Sequence, residues 1–215
     1  GGGGWCYEMN GLLGWALGEL GFDVRFLSGT VGRATRGDAA EGNHLVLMVR
    51  LDRPFVADVG FGDGFLEPIP LEAGVYRQAG FEFHLERKGS RWVVKNHPGG
   101  AASEYDFTEE PRRLEDFEKK CRELQTAPES SFVLKTVCQR HRPGGIVTLR
   151  GVVRRWISPD GVSEVTLKNS QEFQQVLETD FALSLPDWAD LWARVEERHR
   201  RWVAGSTAAE SPASG

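Results

Sequence analysis

Between Met9 and Leu20, apolar side chains recur at Met9, Leu12, Leu13, Ala16, Leu17 and Leu20, the i, i+3, i+4, i+7 stripe of an amphipathic helix. This spacing predicts a helix over 6–20 that stops at Gly21, a residue suited to ending helices. The pattern then changes to period two. Phe22, Val24 and Phe26 alternate, as do Phe81, Phe83 and Leu85 before a Lys88-Gly89-Ser90 turn and Trp92-Val93-Val94. Residues 44–51 and 54–61 read as two buried strands joined by a turn at Asp52-Arg53-Pro54, a hairpin. Residues 21–110 therefore predict a β-barrel or a strongly bent antiparallel sheet. A helix over 112–124 and a Pro/Ser segment at 126–131 form a connector. Strands at 146–157 and 162–167 follow, joined at Ser158-Pro159-Asp160-Gly161. Asn169, with Glu172 three residues on, is an N-terminal cap for a helix bearing Phe173, Val176 and Leu177. A last helix places Trp188, Leu191, Trp192, Val195 and Trp202 at helical spacing, a core stripe. Residues 205–215 are expected to form a disordered tail.

Composition narrows the class. The 215 residues, 40% hydrophobic and 27% charged, suit a globular chain with a sizeable core. A net charge of −5 argues against a general nucleic-acid or anionic-membrane binder. Cys6, Cys121 and Cys138 are too few and too scattered for a disulfide framework, and no CxxC or His-x-x-His pattern suggests a metal. No apolar run approaches the ~18 residues of a membrane span, and the cytoplasm is the expected compartment.

The candidate chemistry starts at Cys6, in Gly3-Gly4-Trp5-Cys6-Tyr7-Glu8-Met9-Asn10. It falls in the first helical turn, where free N–H groups and the positive end of the helix dipole favour a thiolate. The glycines before it allow close backbone approach and leave room for N–H donors to an oxyanion. His44 opens one apolar strand and Asp58 sits within the other. Cys, His and Asp are the set that makes a thiolate nucleophile: the imidazole takes the proton and the carboxylate orients the imidazole. A carboxylate in so apolar a strand needs a partner, and His44 is the nearest. The two share a face if residues paired across the hairpin have an even sum, or if a bulge corrects the register.

These residues resemble the arylamine N-acetyltransferase family. Gly2-Gly3-Gly4-Trp5-Cys6-Tyr7-Glu8-Met9-Asn10 is similar to that family's Arg-Gly-Gly-(aromatic)-Cys-(aromatic)-Glu-x-Asn motif, with Gly2 in the arginine's place. Leu20-Gly21-Phe22-Asp23-Val24 resembles its Leu-Gly-Phe-x-Val. Asn43-His44-Leu45-Val46-Leu47 resembles its Thr-His motif, with Asn43 for the commoner threonine. Asp58-Val59-Gly60-Phe61-Gly62 matches its Asp-Val-Gly-Phe-Gly, and Thr126 to Phe132 its Pro/Ser segment.

The resemblance implies an α+β fold with a core related to papain-like cysteine proteases. The expected organisation is a helical-domain remnant carrying the nucleophile (1–20), a β-barrel domain (21–110), a connector (111–141), an α/β lid (142–204) and the tail. It implies Cys6, His44 and Asp58 as the catalytic triad, with Asn43, Phe61 and Gly62 in the substrate and coenzyme A cleft. The implied reaction is acetyl transfer from acetyl-CoA to an arylamine, arylhydrazine or N-hydroxyarylamine through an acetyl-cysteine. A thiol hydrolase or an amide synthase would use the same triad, and an N-terminally short chain could also be inactive.

Overall fold

A computed structural model describes residues 2–210. The chain opens with helix α1 (Cys6–Glu19), followed by β1 (Asp23–Val31) and a short α2 (Arg33–Arg36). Strands β2 (His44–Arg50), β3 (Pro54–Ala57), β4 (Ile69–Pro70), β5 (Gly74–Gln78), β6 (Phe81–Lys88), β7 (Arg91–Lys95) and β8 (Glu104–Arg112) come next. Helices α3 (Glu118–Thr126) and α4 (Ser131–Leu134) lead to β9 (Val137–Arg142), β10 (Gly145–Arg150), β11 (Val153–Ser158) and β12 (Gly161–Thr166). Helices α5 (Ser170–Phe181) and α6 (Trp188–Glu210) end the described chain.

The first eight strands form one antiparallel sheet in the order β4-β3-β2-β1-β8-β7-β6-β5. It curls into a nearly closed barrel, because Ile69 on β4 and Phe81 and Phe83 on β6 share one core. Side chains rather than a ladder close the remaining gap. Tyr76 Oη donates to the carbonyls of Pro70 (3.2 Å) and Glu72 (2.8 Å), and Gln78 Oε1 accepts from the N–H groups of Leu66 and Glu67 (both 2.8 Å).

The unbroken apolar run of β2 follows from burial on both faces. Val46 and Met48 enter the barrel core, whereas Leu47 and Val49 meet Leu13 and Leu17 of α1. The second sheet, β12-β11-β10-β9, does the same at larger scale. Ile146 and Ile157 join the barrel core, while Val147 and Leu149 pack with Phe173, Leu177 and Trp192 of α5 and α6.

Four details depart from the sequence reading. The buried face of α1 is Cys6, Asn10 and Gly14, with Leu13 and Leu17 partly buried; Leu12 is 63% exposed and Leu20 75%. A helix apolar around most of its circumference does not declare its buried face by periodicity. β3 ends at Ala57, because Asp58 Oδ1 accepts the N–H of Gly60 (2.9 Å) and turns the chain. The stretch 146–157 is two strands reversed at Gly151-Val152, and β9 already begins at Val137, inside the expected connector. The last helix runs to Glu210, into the expected tail, since alanine and glutamate favour helix. Residues 211–215 of that tail lie outside the described residues.

Candidate active site

Cys6 is the first residue of α1 and is 5% exposed. Trp5 precedes it in extended conformation, and its N–H donates to Glu8 Oε2 (3.2 Å), which fixes the helix start. The N–H groups of Cys6 and Tyr7 lie in the first turn, which has no intrahelical acceptor for them.

Three side chains of α1 reach the main chain where β2 begins. Tyr7 Oη donates to the Gly42 carbonyl (2.5 Å), Cys6 Sγ to the Asn43 carbonyl (3.9 Å), and Asn10 Nδ2 to the Leu45 carbonyl (2.6 Å). Asn10, fully buried, also donates to Asp58 Oδ1 (2.8 Å) and accepts the N–H of Val59 (2.9 Å). This one side chain ties α1, β2 and the loop after β3 together. Gly60 permits the closeness: a Cβ there would lie 2.5 Å from Cys6 Cα.

The hairpin register supplies the shared face. Leu47 pairs with Ala57 and Met48 with Val56, so paired residues have an even sum. His44 Nε2 meets Asp58 Oδ2 at 2.7 Å, with both side chains at most 3% exposed. Burial alone pulls the His44 ring down. The Asp58 charge, the hydrogen bond to it and the nearby Cys6 outweigh burial and raise it to about 10. Burial likewise pushes Asp58 up, but His44, Asn10 and the Gly60 N–H hold it below its ordinary value. The pair is therefore an imidazolium facing a carboxylate, with the Cys6 sulfur hydrogen-bonded to the same ring. The structure thus brings Cys6, His44 and Asp58 together.

The remaining expected residues are placed differently. Phe61 stands edge-on to His44 (5.4 Å between ring centroids), and Tyr105 packs against both His44 (4.8 Å) and Phe61 (4.7 Å). Gly62, at φ +81°, lies against Gln139 of β9, where a Cβ would fall 2.2 Å from Oε1. Asn43 is 8% exposed and turns its side chain onto Val31.

Sequence reasoning missed Asn10 and Tyr105. Asn10 carried a signal: it lies one helical turn beyond Cys6, inside the same motif. Tyr105 carried none, because β8 reaches the site only through its non-local pairing with β1. Tyr105 Oη is buried facing the Asp58 carboxylate, short of regular hydrogen-bond geometry. Among the described residues no group of three or more His, Cys, Asp or Glu is arranged to hold a metal ion, and no helix is long and apolar enough to cross a membrane.

Known proteins share this architecture. A sequence model of the N-acetyltransferase family matches residues 1–189. Arylamine N-acetyltransferase 2 of Mesocricetus auratus is 33% identical over 211 residues, covering 85% of this chain and 73% of that protein. Arylamine N-acetyltransferase 1 of Homo sapiens is 30% identical over the same shares. The arylamine N-acetyltransferase structure of Mycobacterium marinum superposes with a TM-score of 0.81 at 28% identity, covering 91% of this chain and 76% of that one. Its complex with CoA gives 0.78 at 29% identity, over 91% and 75%. With its sequence matched along most of its length and its fold matched by solved members, this chain belongs to the arylamine N-acetyltransferase family.

Proposed function

We propose that this enzyme moves an acetyl group from acetyl-CoA to an aromatic amine or hydrazine in two half-reactions through Cys6. The observation that carries the reading is the buried His44–Asp58 pair, 2.7 Å apart, beside a thiol at a helix start. Asp58 engages Nε2, which leaves Nδ1 as the ring nitrogen for the thiol. His44 holds the proton that Cys6 has given up, and the sulfur attacks the thioester carbonyl carbon. The new S–C bond forms as the bond to coenzyme A's sulfur breaks, and the departing thiolate takes the proton from His44. In the second half, the amine nitrogen attacks the acetyl carbon, His44 accepts its proton, and Cys6 leaves as the thiolate. The first-turn N–H groups are donors for the oxyanion in both halves.

An aromatic amine is largely unprotonated at neutral pH, so it needs positioning more than activation. The aromatic wall of Phe61 and Tyr105 limits water at the acetyl-cysteine, which favours transfer over hydrolysis. The CoA complex of the mycobacterial relative supports coenzyme A as the donor's carrier.

Initial rates against acetyl-CoA at several fixed arylamine concentrations are expected to give parallel lines, with an acetyl adduct on Cys6 by mass spectrometry. Cys6→Ser is expected to lose nearly all transfer. Intersecting lines with no adduct would replace the covalent route by direct transfer. Rapid release of acetate without an acceptor would make the enzyme a hydrolase.

A further inference from the structure

The loop that follows Asp58 is held at both ends by a buried carboxylate. At one end Asp58 Oδ1 accepts the N–H of Gly60 (2.9 Å). At the other, Asp63 is 1% exposed, and the proposed reaction makes no use of it. Its Oδ1 accepts from Asn96 Nδ2 (3.0 Å) and its Oδ2 from the N–H of Ala101 (2.6 Å), both in the turn between β7 and β8. His97 of the same turn completes the grip. Its Nε2 donates to the main-chain carbonyl of Asp63 (3.1 Å); since a carbonyl only accepts, Nε2 carries the proton. Burial keeps the ring below the ordinary imidazole value, hence neutral near pH 7. Packing fixes the ring in turn: it lies on Phe81 (4.5 Å between centroids) and edge-on to Phe83 (6.0 Å), both in the barrel core. From Asp63 one bond leads to the site. Its N–H donates to the Phe61 carbonyl (3.0 Å), and the Phe61 ring stands 5.4 Å from His44.

We infer that His97 and Asp63 are positioning residues: together they hold Phe61 against His44 and so shield an acetyl group on Cys6 from water. The inference rests on the proposed acetyl-cysteine. Both residues act through the loop and not on the reacting atoms. A carboxylate is costly to bury, and the donors of the 96–101 turn offset that cost only while the loop stays in place. Phe61 is only partly buried on the barrel core, so its own packing leaves it free to swing outward unless Asp63 is held. Water admitted by that swing would attack the acetyl carbon. Its oxygen would bond to the carbon as the bond to Cys6 breaks, its proton would pass to His44, and acetic acid would leave.

The test replaces His97 in the full chain by Phe, which keeps a ring on Phe81 and loses the donor, and by Gln, whose terminal amide N–H can reach the same carbonyl. Asp63→Asn is isosteric, but both carboxylate partners are donors, so the amide must lose one bond. Two quantities are read: hydrogen exchange of segment 59–64, and the lifetime of acetyl-Cys6 by mass spectrometry after a single turnover of acetyl-CoA without amine. His97→Phe and Asp63→Asn are expected to exchange faster in this segment and to lose the adduct about two- to tenfold faster, the range one hydrogen bond carries. His97→Gln is expected to stay close to native in both. Uptake of the acetyl group by Cys6 is expected to change less than its loss to water, a split that a general loss of stability would not produce. If His97→Phe does not fold, Asp63→Asn decides. Folded variants with native exchange and native adduct lifetime would overturn the grip on Phe61 and leave the transferase reading intact. Faster exchange with a native lifetime would overturn the shielding. A native protein that takes up no acetyl group, with variants that still exchange faster, would overturn the transferase reading and keep the hold on the loop.

Discussion

At the scale of single residues, the His44–Asp58 pair makes stability depend on pH. His44 keeps its proton to about 10 in the fold, against about 6.5 in an unfolded chain. Its contribution is complete below about 6.5 and is lost as pH rises towards 10. Asp58 is held below its ordinary value, so its side of the same interaction is present above about 3.9 and lost as pH falls through the folded value. Asp58→Asn leaves the buried imidazolium unpaired and is expected to cost about 3–5 kcal/mol near pH 5 to 6. Urea titrations should show this difference shrinking as pH approaches 10; a difference constant with pH would exclude the ion pair. Tyr105 is the opposite case. Its hydroxyl is buried facing the Asp58 carboxylate without regular hydrogen-bond geometry, so Tyr105→Phe removes a poorly satisfied group and is expected to raise stability by about 1 kcal/mol, read from the urea midpoint. A loss of that size would mean the hydroxyl has a bound partner in solution.

At the scale of elements, the site depends on how closely α1 meets the loop after β3. Gly60 is the contact point, with a built Cβ 2.5 Å from Cys6 Cα and 2.8 Å from Asn10 Nδ2. Gly60→Ala must push the helix away. It is expected to cost about 1–3 kcal/mol by overpacking and about a hundredfold in transfer by displacing Cys6, the proposed nucleophile. Native kcat/KM in that variant would show that the helix tolerates the shift. This contact also separates what the sequence could reveal from what it could not. The Cys6, His44 and Asp58 positions were legible because each sits at a local boundary: a helix start, a strand start, a polar break in an apolar strand. Even the parity condition on the hairpin was a sequence-level statement, and the Leu47–Ala57 register meets it. The buried face of α1 was illegible because Met9, Leu12, Leu13 and Trp15 are all apolar and only the docking partner chooses among them. β3 is shorter than the expected 54–61 because the Asp58 carboxylate turns the chain at Gly60, a local bond that the apolar run around it conceals. Asn43 was expected in the cleft, but its side chain completes pairing with Val31, a bond that no linear pattern encodes.

At the scale of the whole molecule, the two sheets share a core instead of meeting across a polar seam. Ile146 and Ile157 face each other across β10 and β11, yet both side chains belong to the barrel core. The opposite face of the same sheet, Val147 and Leu149, belongs to the helical core with Trp192. With β10 buried from Gly145 to Leu149, its sheet cannot leave the barrel without exposing Ile146, Ile157 and the barrel surface they cover. The structure also joins the sheets beside the site, where Gln139 of β9 lies against Gly62, four residues after Asp58. The two units are therefore expected to unfold together. Ile146→Ala should lower stability by about 2–5 kcal/mol. Trp92 lies in the barrel core and Trp192 in the helical core, so tryptophan fluorescence samples both units. Its urea transition should coincide with the far-UV circular dichroism transition in the native protein and in the variant. Two separated transitions, with Ile146→Ala shifting only one of them, would mean that the small sheet folds independently and that its grip on the loop after β3 is loose.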